Sequence, residues 1–198
     1  MNKTPLWTKC VIGLDMDGVI IDHTANKIAV AKRLGYELLE AQTPSDITAA
    51  FIPEPAYGRF QQIIYDDPVI ALSPPPYPGV LEGLRAIKAS GTPYFLISRR
   101  KNPPRAIELL KKRGLWPQFI DEDNFISEKN AFFVLKKKDK DDRAKALGVN
   151  VYIDDQPSVL AELASVPDKF LFDPLGVHAQ GDYTVVRSWP EFLSMLKL

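Results

Sequence analysis

The sequence has few of the features that mark secreted, zinc-binding or membrane proteins. Its single cysteine, Cys10, cannot form an internal disulfide, which fits a reducing compartment. Its two histidines, His23 and His178, lack the partner spacing of a zinc site, and we expect both at the surface. No segment approaches the ~20 apolar residues that span a bilayer, and the amino terminus lacks the apolar core of a signal peptide. These absences predict a soluble, cytoplasmic protein without a membrane partner.

An excess of charge of one sign is also lacking. Lys and Arg together number 25, and Asp and Glu together number 25, so no overall field favours binding of a nucleic acid polymer. The 198 residues, of which 45% are hydrophobic, are enough for one good core with a small additional lobe. The sequence contains no internal repeat and no low-complexity tract. Partners must therefore be inferred from individual sites.

Short apolar runs alternate with segments of helical periodicity along most of the chain. This alternation predicts a parallel sheet with right-handed crossovers and helices on both faces, so the predicted fold class is α/β. The predicted strands cover about 9–14, 94–97, 131–135, 149–153, 170–172 and 183–186. Predicted helices begin near residues 24, 80, 103, 157 and 189, and another follows a turn at 136–140 and ends at Gly148.

The stretch from about residue 37 to 78 has a different texture, with short helical pieces and a run of prolines near its end. Proline fixes its own φ and favours extended structure before it, so the run suits a stiff linker. We interpret the stretch as part of a small cap. Its aromatic residues favour a core for this cap, although they could also stack on a nucleobase. They are Phe51, Tyr57, Phe60 and Tyr65.

Two predicted strands end in pairs of carboxylates. Asp15 and Asp17 follow the first strand, and Asp154 and Asp155 follow the strand at 149–153. Taken alone, the first pair could be a simple turn and the second a helix cap. At one edge of a parallel sheet, however, these carboxylates would repel one another unless a cation or a proton intervened. Mg²⁺ suits them because it takes oxygen ligands and is often held by carboxylates together with phosphate oxygens.

Ser98 and a lysine near residue 140 complete this set. A hydroxyl and an ammonium are the groups that hold the remaining oxygens of a phosphate, although Ser98 alone could be a loop hydroxyl. Lys140 is the preferred lysine because it precedes the strand that ends at Asp154, but Lys137 or Lys138 could replace it. The basic residues directly after Ser98 could meet a second anionic group of a substrate or could simply be solvated. They are Arg99, Arg100 and Lys101.

In order along the chain, these motifs resemble the four motifs of the haloacid dehalogenase superfamily. The resemblance implies a Rossmann-like core at 1–22 and 79–198 and a helical cap, inserted after the first motif, at 23–78. The segment around Asp154 is most similar to the 5′-nucleotidase and deoxyribonucleotidase branch. The residues that carry the resemblance are 15–19, Ser98, Lys140 and 153–157.

The resemblance also implies a role for each motif residue. Asp15 would attack phosphorus to form an aspartyl phosphate, and Asp17 would act as acid and base, its proton affinity raised by nearby negative charge. Mg²⁺ would be bound by the Asp15 carboxylate, the Asp17 carbonyl and Asp155, with Asp154 in support. Substrate contacts would come from Ser98, Arg99 and Lys140.

The resulting expectation is a Mg²⁺-dependent phosphatase that hydrolyses a small phosphomonoester, for which a nucleoside monophosphate is a candidate. A dehalogenase would use the same nucleophile, but it needs neither Mg²⁺ nor an acid at Asp17. A phosphomutase, a phosphonate hydrolase and an inactive binding domain with the same fold remain alternatives at this point.

Overall fold

The computed structural model describes residues 10–120 and 130–196, in which six strands form one parallel sheet. The strand order is β3-β2-β1-β4-β5-β6, and every neighbouring pair is parallel, which confirms the predicted α/β class. The strands are β1 (Ile12–Leu14), β2 (Tyr94–Arg99), β3 (Ala131–Val134), β4 (Val151–Asp154), β5 (Asp168–Phe172) and β6 (Thr184–Val186).

Helices cover both faces of the sheet, as the alternation of patterns predicted. Their observed starts agree closely with the sequence, except that the helix after β3 begins inside the predicted turn. The helices are α1 (Thr24–Arg33), α2 (Ser45–Thr48), α3 (Ala56–Asp66), α4 (Val80–Ala89), α5 (Pro103–Lys112), α6 (Lys137–Ala146), α7 (Pro157–Leu160) and α8 (Trp189–Met195). Short 3₁₀ turns lie at Glu40–Gln42, Ile70–Leu72 and Trp116–Gln118.

Strand β1 lies in the middle of the sheet and is buried on both faces. Ile12 and Leu14 are fully buried in the cluster formed with α4, α5 and α8. On the other face, the ring of Tyr152 packs so closely over Gly13 that a Cβ there would lie 2.3 Å from a ring carbon. The Tyr152 hydroxyl donates a 2.6 Å hydrogen bond to the carbonyl of Ile97, which ties β4 to β2 across the strand between them. The residue after Leu14 is thus held rigidly.

The segment 23–78, which we call the insertion, leaves the sheet after β1 and returns before α4. Its helices enclose a hydrophobic cluster of their own, formed by residues such as Val30, Ile52 and Phe60. The two chain connections run side by side. The Asp22 amide donates to the carbonyl of Pro75, and Ile21 and Pro76 form an isolated antiparallel bridge. The proline run therefore lies against the outgoing chain. The division into core and cap remains a prediction.

The aromatic residues of the insertion do not share one environment. Phe60 is buried in the cluster of the insertion, as a core role requires. Tyr57 and Tyr65 pack partly against that cluster and also line the cleft described below. Phe51 is 42% exposed, so it fills neither role.

Some predicted features fall on other boundaries or outside the description. Strand β2 runs through Arg99, so Ser98 lies within the strand and not after it. The acid-rich loop at 121–129, the start of the first strand before Cys10 and the last two residues lie outside the described residues. No helix within the described residues is long and apolar enough to cross a membrane.

His178 connects the insertion to the core. Its Nε2 lies 3.3 Å from Asp46 in α2, and its Nδ1 lies 3.4 Å from Asp173, which follows β5. The side chain is only 7% exposed, so the predicted surface position is wrong. The hydrogen bond with Asp46 raises the pKa of His178, burial opposes the rise, and the charge of Asp173 adds to it. The ring therefore lies between two carboxylates that favour its protonated form.

His178→Gln should remove a pH-dependent contribution to stability. Because the folded-state pKa of His178 is raised, the contribution is full below about pH 6.5, the usual histidine value, and is lost as the pH rises through the folded-state value. The difference in melting temperature between wild type and variant should therefore be largest near pH 5.5 and small near pH 9, as rough limits. Thermal unfolding across this range measures it, and a difference that grows with pH would contradict the assignment.

Candidate active site

Three buried carboxylates meet at the carboxyl edge of the sheet. Asp15 directly follows β1, and Asp154 and Asp155 end the neighbouring strand β4, whose Ile153 is in register with Leu14. One ligand atom from each carboxylate lies within 4.8 Å of the others. Exposures are 4%, 0% and 7%, so solvent does little to screen their mutual repulsion. The predicted gathering of acids at this edge is present in the structure.

Lys140 supplies the positive charge that this cluster requires. Its Nζ lies 2.9 Å from an Asp15 oxygen and 2.7 Å from an Asp154 oxygen. Burial would lower the pKa of the ammonium, but the two carboxylates outweigh burial and raise it well above the usual value. Lys137 instead donates a hydrogen bond to Ser158, and Lys138 is exposed. Of the three candidate lysines, Lys140 is the one at the cluster.

Asp155 has no ion-pair partner within the described ranges, whereas Asp15 and Asp154 both contact Lys140. Burial, followed by the charges of Asp154 and Asp15, raises its pKa well above the usual range. The carboxylate packs against Gly18, where a Cβ would lie 2.2 Å from its Oδ2, and φ is +84°. Glycine is needed here for both the backbone conformation and this close approach.

The cluster fits a divalent cation. Three carboxylates share one ammonium, so the buried charge is negative unless a cation or protons compensate it. Burial and the charge of Asp15, opposed by Lys140, raise the pKa of Asp154 to about 6, which indicates the same shortage of positive charge. Oxygen donors of this type suit hard ions such as Mg²⁺ or Ca²⁺. The site residues and their chemistry are therefore compatible with the metal that the sequence predicts.

Asp17 lies beside the cluster, but its side chain has different partners. Its Oδ1 accepts hydrogen bonds from His23 Nε2 and from an Arg100 amino group, each at 2.7 Å. The ring of Tyr65, from α3, contacts both of these partners, with the Arg100 guanidinium 4.6 Å from its centroid. His23 is 2% exposed, so its predicted surface position is wrong.

The electrostatic environment of Asp17 is opposite to the expected one. Burial alone would raise the pKa of this carboxyl group, but the charge of Arg100 and the hydrogen bond from His23 hold it well below its usual range. The expectation that nearby negative charge helps Asp17 hold a proton is therefore wrong for this structure. The physical reason is that two donors contact the same carboxylate oxygen and together outweigh the effect of burial.

Sequence reasoning could have found one of these partners but not the other. Ser98 and Arg100 are two residues apart at the end of a strand, so alternation places them on one face. His23 lies in the irregular connection before α1, where no periodicity indicates which way a side chain points.

Ser98 is 1% exposed, and its hydroxyl has no hydrogen-bond partner among the described residues. It lies next to the last residue of β2, the strand adjacent to β1, and lines the same cleft as Asp15 and Lys140. A buried hydroxyl without a partner is costly, so it is available to a ligand that enters here.

A cleft of about 690 Å³ opens over these residues between the sheet edge and the insertion. One face of α3 lines it, with lining residues on three successive helical turns. Core residues at and just after the end of β2, and at the start of α6, form the opposite wall. The α3 face comprises Tyr57, Gln61, Gln62 and Tyr65, and the core wall includes Arg99, Lys101 and Lys137.

Solved structures similar to this chain include haloacid dehalogenase-like hydrolases, which confirms the predicted fold. A hydrolase of this kind from Streptococcus pneumoniae matches with a TM-score of 0.62 and 16% identity, covering 93% of this chain and 97% of that one. Another, from Deinococcus radiodurans, was solved with bound phosphate and sodium and matches with a TM-score of 0.59 and 16% identity, covering 92% of each chain.

In sequence, the chain is similar to a candidate nucleotidase of Bacillus cereus. The two are 24% identical over 192 residues, which is 93% of this chain and 97% of that protein. No protein-family model matches the chain.

Lys140→Met should destabilise the protein strongly. Removal of the ammonium leaves Asp15 and Asp154 buried without compensation, which should lower the free energy of unfolding by ~3 kcal/mol. Lys138→Met, in the same lysine run but exposed, should change it by less than about 0.5 kcal/mol. Chemical denaturation at neutral pH in the presence of a chelator measures the free energy of unfolding of both variants and of the wild type. Equal stability of the two variants would show that Lys140 does not compensate the cluster.

Proposed function

We propose that the chain is a Mg²⁺-dependent phosphatase that hydrolyses a small phosphomonoester through an aspartyl phosphate on Asp15. The observation that carries this proposal is the buried Asp15 carboxylate, held by Lys140 beside the unpartnered Ser98 hydroxyl at the floor of a large cleft. These groups are a nucleophile, a cation and a hydrogen-bond donor. A phosphate monoester needs all three.

In the first step, an Asp15 oxygen attacks phosphorus, a new O–P bond forms and the bond to the leaving alcohol breaks. The Ser98 hydroxyl donates to a phosphate oxygen, and Lys140 offsets negative charge on the nucleophile and the phosphate. Because Lys140 is held by two carboxylates, it is already in place before substrate arrives. In the second step, water attacks phosphorus and Asp15 leaves as a carboxylate.

Asp17 moves the protons in both steps. It gives a proton to the leaving alcohol and then takes one from the attacking water, so its protonation state is restored after each turnover. The contacts with Arg100 and His23 favour the ionised form, which is the form that the second step requires. Protonation of the alcohol therefore requires that at least one of these contacts weakens when substrate occupies the cleft.

The metal ligands would be the Asp15 carboxylate, the Asp17 carbonyl and Asp155, with Asp154 in support. When bound, Mg²⁺ supplies positive charge between the carboxylate nucleophile and the phosphate. Phosphate and a cation bound to the structural relative from Deinococcus radiodurans support a site of this type.

A nucleoside monophosphate is the specific substrate that we favour, and the insertion would act as the cap that selects it. The similarity to the candidate nucleotidase supports this choice. So does the α3 face, where tyrosine rings can stack on a base and the amides of Gln61 and Gln62 can hydrogen-bond to it.

Purified protein should release phosphate from p-nitrophenyl phosphate and from nucleoside monophosphates only when Mg²⁺ is present, and Asp15→Asn should abolish this release. An amide cannot act as the nucleophile, so the loss should be at least about a thousandfold, as is typical when a covalent nucleophile is removed. Released phosphate is measured with and without a chelator.

The matched control is Asp142→Asn, which changes the same functional group on the exposed side of α6. It should keep full activity. If folded wild-type protein with Mg²⁺ hydrolyses no ester in a broad panel, the enzymatic assignment is wrong.

A further inference from the structure

The core wall of the cleft carries positive charges that the proposed chemistry does not use. Lys140 pairs with Asp15, and Arg100 pairs with Asp17. Arg99, Lys101 and Lys137 also line the cleft, yet within residues 10–120 and 130–196 none of them lies within 4.0 Å of a carboxylate. We call these three residues the cationic wall.

The cationic wall flanks the groups that would hold the phosphate. Arg99 directly follows Ser98, and Lys137 lies one helical turn before Lys140 in α6. Arg99 and Lys101 are exposed, and within the described part of the chain the Lys137 ammonium donates to the neutral hydroxyl of Ser158 and to no carboxylate. The positive charge is therefore available next to the phosphate position.

Apart from Asp15 and Asp17, which pair with Lys140 and Arg100, the charges that line the cleft differ in sign between its two walls. The acids on the insertion side are Asp46, which contacts His178, and Asp66 at the end of α3. On the core side, α5 begins beside Lys101 with no acidic residue in its first turn, so the positive end of its dipole is not neutralised. A substrate in the cleft thus meets one wall with surplus positive charge.

We propose that the cationic wall binds a second anionic group, a carboxylate or a second phosphate, on the leaving-group side of the substrate. This inference rests on the proposed phosphatase function and refines its nucleoside monophosphate assignment. Among phosphomonoesters, those with a second anionic group on the leaving alcohol, such as a nucleoside 3′,5′-bisphosphate, are the better substrates. An oxyanion matches the planar donors of Arg99 and the ammonium of Lys101, and its binding is remote from the bond that breaks. Binding energy from such a remote group can contribute to kcat/KM.

Two pairs of esters that differ only in the second anionic group test this inference. The first pair is 2-phosphoglycolate and 2-hydroxyethyl phosphate, and the second is adenosine 3′,5′-bisphosphate and adenosine 5′-monophosphate. For at least one pair, kcat/KM should be at least about tenfold higher for the doubly anionic member, as one charge-assisted hydrogen bond provides. The first pair tests a carboxylate, and the second tests a phosphate.

Arg99→Gln with Lys101→Gln should lower this ratio toward one, whereas Lys138→Gln, which does not line the cleft, should leave it unchanged. If the wild-type ratio of kcat/KM is near one in both pairs and the esters without the second anionic group are hydrolysed, the inference is overturned and the phosphatase function stays intact. A ratio that survives the double substitution also overturns it.

If no ester is hydrolysed, the phosphatase function fails, and titration calorimetry of the same pairs decides the inference separately. Tighter binding of the doubly anionic member by at least about tenfold, lost in the double variant, supports it. Equal binding of the two members overturns it.

Discussion

The compensation of buried negative charge is the constraint on which this structure depends. Three carboxylates with little solvent exposure lie within 4.8 Å of one another, and one buried ammonium contacts two of them. Such a cluster is unfavourable unless the remaining charge is balanced when the protein functions. The same arrangement favours binding of a cation and holds the Asp15 carboxylate in a fixed position beside Lys140.

The fold makes this arrangement possible through the positions of two adjacent strands. Asp15 follows β1, the rigid strand in the middle of the sheet, and the Asp154 pair ends β4 beside it. Lys140 comes from α6, the helix that leads into β4, so the three carboxylates and the ammonium are all placed by elements packed in the core. The insertion contributes the opposite side of the cleft, where α3 presents rings and amides.

Much of this could be predicted because it follows from local patterns. Apolar runs that end in aspartates, together with alternating strands and helices, were enough to predict a parallel sheet with acids at its carboxyl edge. The pairing of Asp17 with His23 and Arg100 could not be obtained in this way. His23 lies in an irregular connection, and Arg100 is 83 residues from Asp17, so the contact depends on tertiary packing. Tertiary packing also decides the environment of Tyr57 and Tyr65 on α3, which pack partly against the hydrophobic cluster of the insertion and line the cleft as well.

The central claim is that Asp15 forms a covalent bond to phosphorus. Its most direct test is to quench the protein in acid during turnover, reduce acyl phosphates with borohydride, which converts a phosphorylated aspartate to homoserine, and locate the product by peptide mass spectrometry. The account predicts homoserine at position 15 and at no other aspartate, dependent on substrate and Mg²⁺. Turnover without homoserine at position 15, or with homoserine at another aspartate, would contradict it.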